Sequence, residues 1–175
     1  MLRAALFTVV GVGFFVLWLQ MLDPGHQIPE APSNWFGVLS FSALLIALAF
    51  ALPTFARLIG GRVVFRVSLV PAAGAALGGV TNILEDGLHI EWAFYAFVLS
   101  LAIIDIGLLA FTVVVAFTRR GGRRLLAAVP AATMAGVLLF PVVGGILILP
   151  AWIAAAALAL GRPVRSDERA SHMSA

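Results

Sequence analysis

Long apolar runs, each close to the length that crosses a bilayer, dominate this chain of 175 residues. A spanning α-helix needs about 20 mostly apolar residues, and runs of that size lie at 4–22, 35–56, 63–84 and 92–118. Hydrophobic residues make up 62% of the chain, against about 50% in ordinary globular domains. One soluble core could not bury that much apolar surface. The sequence therefore predicts an all-α fold, a polytopic integral membrane helical bundle.

The last apolar run, 125–160, is too long for a single span. At about 1.5 Å per residue it would extend roughly 54 Å, whereas the hydrocarbon core of a bilayer is about 30 Å thick. Pro141 and the two glycines that follow it are the natural break. They predict a hairpin of two short helices at 125–141 and 145–160, which brings the number of transmembrane helices to six.

The arginines lie at the ends of the apolar runs, and their positions test this number. All eleven basic residues are arginines. With six helices, all of them fall on one side of the membrane, whereas the opposite loops, 23–34 and 85–91, contain five acids and no arginine. An odd number of helices would destroy this separation. The positive-inside rule then places both termini in the cytoplasm, and we expect the protein in a bacterial plasma membrane (the cell inner membrane).

Residues 1–161 are predicted to form a single transmembrane domain, and the polar residues 162–175 a disordered cytoplasmic tail. The chain contains no cysteine, which excludes disulfides, thiolate-bound zinc and covalently attached haem. No established catalytic or phosphate-binding motif occurs, so we expect no cofactor and do not favour an enzyme. Because the arginines border apolar runs and do not form one soluble basic face, the expected partner is the lipid bilayer and not nucleic acid.

Asp105 is the first candidate for a functional residue. It lies in the middle of the run 92–118, and no other charged residue occurs between Glu91 and Arg119. An acid at the bilayer centre costs from about 2.5 kcal/mol upwards, and such residues often mark a path for protons, ions or substrates. The structural alternative is a hydrogen bond to a neighbouring helix. Four side chains are available for such a bond: Ser40, Ser42, Ser68 and Thr133.

A polar stretch directly after the third apolar run is the second candidate. If the third helix continues past residue 83, Asn82, Glu85, Asp86 and His89 have the i, i+3, i+4, i+7 spacing of a single helix face. Two carboxylates and an imidazole could bind zinc, manganese or iron. Alternatively, His89 could act as a general acid–base with a carboxylate that orients it.

The other loop on the same side offers Asp23, His26 and Glu30, and we expect His26 to complete the polar cluster. Topology alone is a sufficient alternative explanation, because an outer loop is expected to lack arginine. Gly87 could also end the helix before His89. The metal site is therefore a hypothesis, and it requires the side chains to converge.

Two glycines in the third helix indicate close packing. Gly74 and Gly78 form a G-x-x-x-G pattern among alanines, and small-residue faces of this kind are typical of helix–helix interfaces in membranes. The partner could be a neighbouring helix, a second copy of the chain in a homo-oligomer, or another subunit of a membrane complex.

Three functions are compatible with these features. We favour a protein that binds or moves a small solute or ion through a helical bundle with Asp105 as the buried acid. The first alternative is a membrane-embedded enzyme that uses Glu85, Asp86 and His89 at the outer face. The second is an accessory or scaffold subunit of a membrane complex. A water-accessible cavity at Asp105, a metal at the outer cluster, or exposed small-residue faces would distinguish the three.

Overall fold

The computed structural model describes residues 1–22 and 32–161, and within these ranges the chain is helical and contains no strand. The order of helices along the chain follows the apolar runs of the sequence. The α-helices are α1 (Leu2–Met21), α2 (Pro32–Ile59), α3 (Arg62–Asn82), α4 (Glu91–Thr118), α5 (Ala128–Leu138) and α6 (Gly145–Leu160).

Three short segments of other helical types join these helices. A π-helical turn, Ile83–Gly87, continues α3, and a 3₁₀ segment, Gly121–Ala127, precedes α5. A second π-helical turn, Phe140–Gly144, joins α5 to α6. Pro141 lies in this last turn, where its missing N–H interrupts the α-helical ladder.

The described chain contains five helical segments that are long and apolar enough to cross a membrane, and α5 is not one of them. The sequence predicts a spanning helix at 125–141, but α5 has only 11 residues. The reason is local. Pro130 has no N–H to donate to the carbonyl of Leu126, and its ring would clash with that carbonyl in an α-helix. The 3₁₀ segment compensates in part, because its residues rise about 2.0 Å each. Its apolar residues, 125–127, extend roughly 22 Å together with α5, whereas a hydrocarbon core is about 30 Å thick.

An aromatic cluster holds the helices together at the centre of the bundle. Trp152 of α6 is fully buried, with its ring centroid 5.4 Å from that of Phe7 in α1 and 6.1 Å from that of Phe55 in α2. Phe55 in turn lies 6.4 Å from Phe111 of α4. The indole N–H of Trp152 donates to the hydroxyl of Thr133 in α5 at 3.0 Å. One buried side chain therefore links α1, α2 and α5 to α6.

Basic residues gather at one end of the bundle. Arg3 and Arg57 line the same small pocket of about 220 Å³, and the guanidinium of Arg119 donates to the carbonyl of Gly60. The start of α1, the α2–α3 connection and the end of α4 are thus neighbours in space. The acids Glu85, Asp86 and Glu91 lie at the opposite ends of α3 and α4.

The outer surface of the bundle is apolar. Val16, Phe50, Val70, Ile106 and Ile153 are all exposed, although each lies in the middle part of its helix. A soluble domain rarely leaves such a surface in water. These helices are compatible with a protein embedded in a membrane.

Candidate functional site

Asp105 lies halfway along α4, at the border between the packed core and the exposed surface. The preceding residue, Ile104, is fully buried, whereas the following residue, Ile106, is 68% exposed. The Asp105 side chain is half-buried, and its Oδ1 atom is inaccessible. No hydrogen-bond partner for this oxygen occurs in the described part of the chain.

The side chains that could satisfy Asp105 are engaged elsewhere. Ser42 accepts a hydrogen bond from Asn82, and the Ser68 hydroxyl donates to the carbonyl of Phe65. Thr133 donates to the carbonyl of Val129 while it accepts from Trp152. Among the described residues, Ser40 makes no side-chain hydrogen bond to Asp105 either. The internal hydrogen bond that would give Asp105 a purely structural role is therefore not formed within residues 1–22 and 32–161.

Helix geometry places Asp105 away from α3. Ile103 and Ile104 of α4 meet Gly74 of α3, and Gly107 of α4 meets Pro71. Asp105 is rotated by about 200° around the helix from Ile103 and from Gly107, and by about 100° from Ile104. Asp105 therefore lies outside the face of α4 that packs against α3, next to the exposed residues Ile106 and Leu109.

The outer polar stretch does not form the single face that the sequence predicts. Asn82 is buried, and its amide donates to the Ser42 hydroxyl at 3.0 Å and to the Val38 carbonyl at 3.3 Å. These bonds direct Asn82 into α2, whereas Asp86 and His89 are exposed. Asn82 thus joins α2 to α3 inside the bundle.

The cause of this difference is the π-helical turn. The N–H of Leu88 bonds to the carbonyl of Ile83, five residues back, so that the i, i+3, i+4, i+7 register of an α-helix is lost after Asn82. The helical turn ends at Gly87, against the ring of Trp35, and His89 follows with a left-handed φ of 54°. Gly87 therefore ends the helix before His89, as the alternative interpretation expects.

Three of the predicted residues nevertheless remain neighbours. Asp86 and His89 are close enough to Glu85 to interact with it electrostatically. Within the described ranges, however, no group of three His, Asp or Glu side chains has the geometry to hold a metal ion. The residues expected to complete the site, Asp23, His26 and Glu30, lie outside the described residues, as does the predicted tail 162–175.

Gly74 and Gly78 pack within the chain. A Cβ atom built on Gly74 would lie 2.9 Å from the backbone nitrogen of Ile104, and one on Gly78 would lie 2.7 Å from the hydroxyl of Ser100. Both neighbours belong to α4. Because α4 of the same chain covers this face, a second copy or another subunit would have to use a different surface.

A groove between α5 and α6 is the feature that sequence reasoning missed. It has a volume of about 490 Å³, and only apolar residues line it: they come from the 3₁₀ segment, α5, α6 and Phe55 of α2. The alanines of α5 and α6 hint at close approach of the two helices. No pattern in the sequence indicates how far apart the short, proline-containing helices would lie.

Comparisons of this chain with protein-family models, with curated proteins and with solved structures found no match.

Proposed function

We propose that this chain is a small multi-pass protein of a bacterial inner membrane that binds or moves a cation, a proton or a small hydrogen-bond donor at Asp105. The observation that carries the proposal is the buried Oδ1 atom, for which the described residues provide no partner. A charged or polar group at this depth costs about 2.5 kcal/mol or more. A ligand that donates to this oxygen, or a proton bound to it, would offset that cost.

The proposed orientation has both termini in the cytoplasm. It is supported by the arginines at one end of the bundle, since Arg3 and Arg57 line one pocket and Arg119 contacts the α2–α3 connection. The acids Glu85 and Asp86 lie at the opposite end. This distribution is the one that the positive-inside rule requires if α5 is a sixth span beside the five long helical segments.

The test is Asp105→Asn, which keeps the shape of the side chain and removes its charge and titration. The full chain is reconstituted into liposomes that contain a pH-sensitive dye, and proton entry is measured under an imposed potassium diffusion potential. We expect the wild type to exceed empty liposomes and Asp105→Asn to fall to their level. Asp86→Asn, which removes an exposed acid at the end of the bundle, is the matched control and should behave as the wild type.

Binding without transport is measured on the same proteins in mild detergent. Thermal unfolding is followed with sodium, potassium, calcium or ammonium in the buffer. A cation at ten times its Kd stabilises the folded state by about 1.4 kcal/mol, which raises the Tm by roughly 3–6 °C for a chain of this size. The shift should be absent in Asp105→Asn. If the wild type and this variant respond alike in both assays, Asp105 is not the binding group.

The second candidate function is that of an accessory subunit of a membrane complex, because Asp105 borders an exposed surface. Ile106 and Leu109 beside it are 68% and 51% exposed, so a donor on a partner helix could reach the carboxyl from that side. Native mass spectrometry of the protein extracted in mild detergent tests this proposal. A second chain present at fixed stoichiometry in the wild type, and lost in Asp105→Asn, would favour the subunit over the transporter.

A further inference from the structure

The groove between α5 and α6 has the length of one lipid leaflet. Its lining on α6 extends from Ile146 to Ala155, nine residue steps or roughly 14 Å of helix. Half of a hydrocarbon core is about 15 Å. The groove is also open at the surface, since Leu125 and Ile146 on its rim are 77% and 50% exposed. An acyl chain in one leaflet can therefore enter it sideways without parting the helices.

One end of this groove carries positive charge. Leu125 is the first lining residue of the 3₁₀ segment, and Arg123 and Arg124 directly precede it. Both arginines are exposed. The Nε–H of Arg124 donates to the carbonyl of Arg119 at 3.1 Å, and the remaining N–H groups of its guanidinium are left to bind an anion.

These two guanidinium groups have no acidic partner within residues 1–22 and 32–161. The described acids near the helix ends, Glu85, Asp86 and Glu91, all lie at the opposite end of the bundle. Arg119 differs from its neighbours because its guanidinium already contacts the carbonyl of Gly60. The charges available at the groove are therefore those of Arg123 and Arg124.

We propose that the groove and Arg123/Arg124 form a binding site for one anionic glycerophospholipid. One acyl chain lies in the apolar groove, and the phosphate accepts hydrogen bonds from the two guanidinium groups. Arginine suits this role because its planar donors match phosphate oxygens in pairs. Basic residues at the mouth of an apolar cleft between transmembrane helices select anionic over zwitterionic lipids. The site is independent of Asp105 and requires only that the bundle is embedded in a bilayer.

The test compares two lipids that have the same acyl chains, one with an anionic and one with a zwitterionic headgroup. The purified full chain in mild detergent is titrated with dioleoyl phosphatidylglycerol or dioleoyl phosphatidylcholine, and bound lipid is counted by native mass spectrometry. We expect the wild type to bind phosphatidylglycerol more tightly. In Arg123→Gln/Arg124→Gln its affinity should fall about 30-fold, the equivalent of about 1 kcal/mol per arginine.

A matched double variant separates a site from a general effect of charge. Arg62→Gln/Arg66→Gln removes the same charge from exposed positions on α3, and no residue of α3 lines the groove. This variant should retain the preference for phosphatidylglycerol. If it weakens binding as much as the Arg123/Arg124 variant, or if the wild type binds both lipids equally, the proposal is wrong.

A second pair of variants tests the groove itself. Ala154→Leu fills it from α6, whereas Ala157→Leu adds the same volume at an exposed position that does not line it. Ala154→Leu should weaken binding of both lipids while Ala157→Leu leaves it unchanged. Size-exclusion elution and helical circular dichroism verify the fold of each variant. Unchanged lipid binding in a folded Ala154→Leu protein would overturn the placement of the acyl chain.

Discussion

Gly107 lies at a close approach between α3 and α4, and its replacement by alanine makes a quantitative test of the bundle. A Cβ atom built at this position would lie 2.7 Å from the Cδ and backbone nitrogen of Pro71 and 3.0 Å from its Cα. These atoms belong to the ring and backbone of a proline inside α3. No rotamer change can remove them, so Gly107→Ala has to move the two helices apart.

The size of this effect follows from the overlap. Ordinary carbon contacts begin at 3.4 Å, so the helices must separate by roughly 0.7 Å, and a gap of that size forfeits a quarter to a half of each dispersion contact nearby. Gly74 lies in the same interface, against Ile104, and loses contact as well. Overpacking of this kind costs about 1–3 kcal/mol. The free energy of unfolding should decrease by that amount after it is corrected for the intrinsic preference of helices for alanine over glycine.

Gly37→Ala supplies the correction, since it makes the same chemical change in α2 where a new Cβ meets no atom within 4 Å. Both variants are unfolded by titration of the detergent-solubilised protein with sodium dodecyl sulfate, and helical circular dichroism gives the free energies. Gly107→Ala should be less stable than Gly37→Ala by about 1–3 kcal/mol. Equal stability of the two variants would refute the close contact of Pro71 with Gly107.

Two further predictions concern topology and a buried polar contact. Because the chain has no cysteine, single cysteines report orientation: a membrane-impermeant maleimide should label Leu88→Cys in intact cells and Gly122→Cys only after lysis. The reverse pattern would contradict the proposed orientation. For the bond of Asn82 to Ser42, a double-mutant cycle with Asn82→Ala and Ser42→Ala should give a coupling free energy of about 0.6 kcal/mol, with an upper value of about 1.7 kcal/mol. Additive losses in the two single variants would exclude that bond.

The helices were predictable because each depends on local composition. The four long apolar runs correspond to α1, α2, α3 and α4, and the break in the last run occurs at the π-helical turn that contains Pro141. The short length of α5 was harder to predict from the sequence. Pro130 marks an irregularity, but a run of apolar residues does not reveal whether the turn before a proline becomes 3₁₀ or remains α-helical.

The candidate sites depended on changes of helix type and on the packing of helices against one another, and the residue pattern of a single α-helix does not show either. The interpretation of Asn82 and His89 as members of one face assumed 3.6 residues per turn, and one π-helical turn between them removes that relation. Gly74 and Gly78 indicated a packing face without identifying its partner, and only the position of α4 shows which helix covers it. Asp105 was recognisable from its place in the middle of an apolar run, whereas its unpartnered oxygen depends on where Thr133 and Ser68 direct their hydroxyl groups.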